Sequence, residues 1–147
     1  MLRKIKQMIE VAIDLTEDEY QTLNSKFPRS MQSAKVGERA IELVRIYFKK
    51  KYPNCSFVTP QSGADLLVLH GYATDQLEIK GTESPEVSWA KIKVSSNQSY
   101  ELLKKGMPIY RVVSVFERNP RIFIMKNHED FEMVPEARWS VKPRRNA

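Results

Sequence analysis

The sequence predicts an α/β (α+β) domain built on a central mixed β-sheet flanked by helices. Two observations carry this expectation. The order of segments after residue 35 is helix, three short strands, helix, two strands (αβββαββ), a sequence of elements that packs as helices on a sheet. The chain also has 147 residues, 41% of them apolar and 10% aromatic, which suits one compact core. With 29% charged residues of both signs and no long apolar run, a membrane-spanning segment is excluded.

The elements follow in order. Lys6 to Asp14 fits neither the strand nor the helix period cleanly, so strand and short helix both stay open there. Thr16 with Glu19 three residues on makes a capping box, predicting a helix from Glu17 to about Asn24 that stops before Pro28. Ser25 to Lys35 reads as a connection. From Val36 to about Lys51, apolar Val36, Ala40, Leu43, Val44, Tyr47 and Phe48 gather on one helical side, and Pro53 ends the run. Strands are expected at Ser56–Thr59, Asp65–Leu69 and Gln76–Lys80, the last two forming a hairpin across His70–Asp75. Ser95 or Ser96 caps a helix that stops at Gly106, and β-rich runs follow at Ile109–Phe116 and Arg121–Met125. These boundaries divide the chain into an N-terminal accessory segment (1–35), a core (36–135) and a basic tail (136–147).

Charge and cysteine content narrow the setting. The net charge is +6, and four of those six charges fall in residues 138–147. Such a balance permits a polyanionic partner without requiring one. Cys55 is the single cysteine, so no internal disulfide is expected and a reducing, cytoplasmic location is the default. Glu10 and Asp14 interrupt any apolar stretch near the N-terminus, so no signal peptide is expected.

The chemistry concentrates in the hairpin. Strand alternation sends Glu78 and Lys80 to one face while Leu77 and Ile79 take the other. Two charged groups on one face of an otherwise apolar strand need a reason, because buried charge is costly unless paired or bound to metal. In the simplest register Asp65 lies beside them, and its carboxylate converges with that of Glu78. Magnesium favours such oxygen ligands, with water and substrate phosphate completing the shell. Lys80 beside that point would orient water or stabilise charge developing on a phosphate. An acid-x-Lys triplet alone is a weak signal, since Glu and Lys alternate on many half-exposed strands.

The ordered set is more specific. Gly63-Ala64-Asp65-Leu66-Leu67-Val68 followed by Leu77-Glu78-Ile79-Lys80-Gly81-Thr82 resembles the PD-(D/E)XK, or restriction-endonuclease-like, nuclease superfamily. Adding the helix Gly37 to Val44, the segment Ser95-Ser96-Asn97-Gln98 and the strand Tyr110-Arg111-Val112-Val113, the chain is similar over Gly37 to about Lys126 to the NO VEIN C-terminal-type domain, a nuclease-like family found in many bacterial defence-associated proteins. The resemblance implies a restriction-endonuclease-like core hydrolysing phosphodiester bonds in DNA with Mg2+ or Mn2+. It implies Asp65 and Glu78 as metal ligands with the Ile79 carbonyl as a third, and Lys80 as the group that positions or activates water. It further implies a helper Glu on the first core helix, for which Glu42 and Glu38 both qualify, and a polar helper on the later helix, Gln98. Small endonucleases that cut both strands often dimerise, so a homodimer is a further expectation of the same kind.

A nuclease site needs flanking positive charge. Lys91, Lys93, Lys104, Lys105 and Arg111 are candidates from the core, and Arg144 and Arg145 from the tail, all serving phosphates rather than base sequence. Trp89 and Trp139 are residues that stack on bases, although core packing is the commoner fate of tryptophan. Two other functions fit the same residues: a catalytically inactive nuclease-fold module that binds nucleic acid or a protein partner in a defence or repair assembly, and a protein-interaction domain whose first forty residues form a docking arm.

Overall fold

The computed structural model describes residues 8–137 and 139–144. It is a mixed α/β structure with one six-stranded sheet and three α-helices. The chain runs β1 (Ile9–Ala12), α1 (Glu17–Lys26), α2 (Ser33–Lys51), β2 (Ser56–Val58), β3 (Leu66–His70), β4 (Ala73–Gly81), a single 3-10 turn at Trp89–Lys91, α3 (Asn97–Lys104), β5 (Ile109–Val113) and β6 (Arg121–Met125). The strands lie side by side as β1-β6-β5-β4-β3-β2. Only β4 and β5 run parallel, joined by the crossover that carries α3; every other neighbouring pair is antiparallel. From α2 onward the order is the expected αβββαββ.

Local chemistry explains several element ends. Thr16 accepts from the Glu19 amide while Glu19 accepts from the Thr16 amide, so the capping box starts α1 as expected. Ser96 caps α3 by accepting from Ser99 N–H, and Gly106 at φ 113 follows the end of that helix. The open strand-or-helix choice near the N-terminus resolves as a strand, with Ile9 opposite Ile124.

Three boundaries differ from expectation. Helix α2 begins at Ser33, so the division at 35/36 falls inside a helix, and β1 together with buried Ile13, Leu15 and Leu23 makes the N-terminal segment part of the sheet and core. The hairpin turn is the pair Gly71-Tyr72 rather than six residues: Gly71 takes φ 59, and His70 then pairs with Ala73, Leu69 with Thr74 and Val68 with Asp75. Strand β5 ends at Val113, where Ser114 turns left-handed at φ 53.

The sheet has two covered faces. On one, α2 packs Ala40, Leu43, Val44 and Phe48 against Leu66, Val68, Leu77, Ile79, Tyr110 and Val112. On the other, α3 and the segments on either side of it bring Leu103, Met107, Ile92 and Val94 against Ile109 and Met125. Among the described residues no helix is long and apolar enough to cross a membrane.

Candidate functional site

Two glycines let the helices approach β4 and its lead-in. A Cβ on Gly81 would sit 2.6 Å from the Ala40 Cβ, so Gly81 is what allows α2 to lie this close to the end of β4. Gly63, at φ 88, would place a Cβ 2.8 Å from the Leu102 side chain, and its carbonyl accepts from Ser99 Oγ at 2.7 Å. The Gly-x-Asp and Glu-x-Lys-Gly patterns therefore have a packing basis: each glycine seats one helix against the strands that carry the acids.

Asp65 is placed by its backbone. Its amide donates to Leu77 O at 2.8 Å, one residue before the β3–β4 pairing begins at Leu66–Leu77, which holds Asp65 against β4 beside Leu77 and Glu78. The Asp65 carboxylate accepts from the Ile79 amide at 2.7 Å. The amide and carbonyl of one strand residue point to the same side. The Ile79 carbonyl thus faces the gap beyond the start of β3, where the Asp65 carboxylate lies.

Glu78 is 4% exposed and faces α3. Burial, followed by a hydrogen bond and repulsion from the Asp65 carboxyl, pushes it up to about 8; the Lys80 charge and a hydrogen bond from Ser99 act in the opposite direction. Glu78 thus keeps its proton and lies against the Asp65 carboxyl, an acid pair of the kind that a divalent cation relieves. A cation placed there would meet oxygens of Asp65, Glu78 and Ile79. Lys80 is half-buried, and its ammonium makes no ion pair with a described residue. It remains available to a ligand.

The helper residues fall differently. Glu42 binds Arg45 at 3.1 Å and lines a groove of about 280 Å³ against α1, together with Asp18, Thr22 and Phe27. That is the α2 side of the sheet, whereas Glu78 faces α3, so Glu42 is not brought to the site. Its rival Glu38 is exposed beside Lys35. Gln98 is exposed, accepting from Ser96 Oγ at 3.2 Å, while its neighbour Ser99 is the α3 residue that reaches Glu78. Ser99 was not singled out by the sequence, where one serine among four polar residues carries no distinguishing mark.

The basic candidates also divide. Arg111 is 1% exposed and donates to the carbonyls of Val87, Gly81 and Ser88, so it corrects the expectation of a phosphate contact: its guanidinium is consumed by backbone. Lys93 pairs with Glu136. Lys91 is exposed on the 3-10 turn, and Lys104 and Lys105 are exposed at the end of α3 away from Ser99. Arg144 is exposed in a stretch without helix or strand, and Arg145 lies outside the described residues. Both tryptophans stand out of the core, Trp89 at 48% and Trp139 at 94% exposure.

Comparison with family models, with curated proteins and with solved structures finds no match to this chain.

Proposed function

We propose that this chain is a restriction-endonuclease-like domain of the PD-(D/E)XK kind, a metal-dependent nuclease that hydrolyses phosphodiester bonds in DNA. The observation that carries the reading is the meeting of the Asp65 and Glu78 carboxyls at the start of β3, with the Ile79 carbonyl directed to the same gap and, beside them, a Lys80 that has no ion-pair partner among the described residues. The order αβββαββ around that point supports it.

Asp65, Glu78 and the Ile79 carbonyl would hold Mg2+ or Mn2+. The bound cation supplies positive charge against the scissile phosphate. Lys80, two residues along the same face, orients the attacking water and stabilises charge developing on the phosphoryl oxygens. Ser99, whose hydroxyl donates to Gly63 O, is the α3 residue set against the Glu78 carboxyl. The glycine-seated helix thus keeps the second ligand from turning away.

Asp65→Ala, Glu78→Ala and Lys80→Ala should each lower magnesium-dependent DNA cleavage by about 100-fold or more. Parent rates in all three would overturn the assignment. One observation favours a second reading, a nucleic-acid-binding module without catalysis: the helix carboxylate Glu42 is turned to the α1 groove, leaving two acids at the site. Calorimetry separates the readings. Magnesium or manganese binding that Asp65→Ala abolishes supports the enzyme, and salt-sensitive DNA binding with no metal binding supports the module.

A further inference from the structure

The loop between β4 and α3 crosses the α3 face of the sheet. Val87, Ile92 and Val94 pack there against the cluster around Leu103 and Met107. Trp89, lying among them in sequence, does not join it and leaves 48% of its surface exposed. A large apolar ring held half in water runs against its usual burial, so whatever holds it there is informative.

Two features hold it. Arg111 donates from Nε to Val87 O at 2.7 Å, from Nη2 to Ser88 O at 3.3 Å and from Nη1 to Gly81 O at 3.1 Å. One guanidinium therefore ties the backbone just after Lys80 to the backbone just before Trp89. Arg111 has no carboxylate partner within ion-pair distance among the described residues, so a buried cation is spent wholly on fixing this loop. Ser88 itself is left-handed at φ 55 and ψ 62, a conformation that favours glycine and is costly for serine. Arg111, which pairs with Lys80 across β4 and β5, thereby holds the backbone that leads into Trp89 next to the strand of the candidate site, with exposed Lys91 two residues on.

We propose that Trp89 is a stacking platform for an unpaired base of a nucleic-acid strand whose phosphate lies at the Asp65–Glu78 pair. This rests on the nuclease reading above and adds a substrate class to it: single-stranded or locally opened nucleic acid. Stacking needs a free base face, which a duplex covers with neighbouring pairs. Lys91 meets the backbone of the same strand, and its contribution falls with added salt.

The test uses fluorescence. The chain has two tryptophans, so Trp139→Phe leaves Trp89 as the only one. That protein, in calcium to hold back cleavage, is titrated with a short oligothymidylate and with the same strand annealed into a duplex. The single strand should quench Trp89 saturably, and the duplex should bind at least about fivefold more weakly. Trp89→Ala should weaken single-strand binding about tenfold with an unchanged thermal melt, and Trp89→Phe should restore most of it. An unquenched Trp89 at saturating oligonucleotide, or parent affinity in Trp89→Ala, overturns the platform, even where Asp65→Ala still abolishes cleavage. Quenching without any metal-dependent cleavage upholds the platform and overturns hydrolysis instead.

Discussion

On one face of β4, Leu77 and Ile79 are closed over by α2, and Gly81 gives up its side chain so that Ala40 can come near. On the other face, Glu78 is buried against Asp65, Lys80 has no described ion-pair partner, and the neighbouring Arg111 is spent on loop carbonyls. Two-residue alternation puts these opposites on a single strand. The α2 face gains stability from apolar burial with well-fitted volumes. The α3 face gives some of it up at this point, since a carboxyl buried against a second acid costs free energy. The proposed cation site would account for such an imbalance within one strand.

Substitutions on the two faces should move stability in opposite directions. Leu77→Ala, emptying the α2 face, should cost about 2–5 kcal/mol in urea denaturation. Gly81→Ala should cost about 1–3 kcal/mol by the same measurement, because the new methyl collides with Ala40. Glu78→Gln should instead stabilise the metal-free protein, by about 1 kcal/mol or more at pH 8. The sign follows from linkage: the folded chain holds the Glu78 proton up to about 8 while the unfolded chain releases it near 4.5, so this group's contribution is full below pH 4.5 and is lost as pH rises to about 8. Thermal melts in chelator across that window should show the decline in the parent and its absence in Glu78→Gln. Glu42→Ala, away from both faces' critical contacts, should change stability by less than about 0.5 kcal/mol and leave DNA cleavage at the parent rate.

What the sequence made legible was whatever depends on near neighbours. The Thr16–Glu19 capping box, a serine cap at 95 or 96 and the Glu78/Lys80 alternation all rest on spacings of two or three residues. The fold class and its element order were legible for the same reason. Strand β1 was not, because its pairing of Ile9 with Ile124 joins distant parts of the chain. Arg111 looked like a phosphate contact because a lone arginine gives no hint that carbonyls of Gly81, Val87 and Ser88 will converge on it. Glu42 matched a helix position but not a side: only the packing of α2 on Leu77 and Ile79 sets it across the sheet from Glu78. Ser99 over Gln98 was decided by the left-handed Gly63, whose carbonyl draws the serine in.

The central claim is that the Asp65–Glu78 pair is a cation site. Anomalous diffraction from a crystal grown with manganese tests it most directly. A cation site there gives a peak between the two carboxylates and within ligand distance of the Ile79 carbonyl. A peak elsewhere, or none there at saturating manganese, would contradict it.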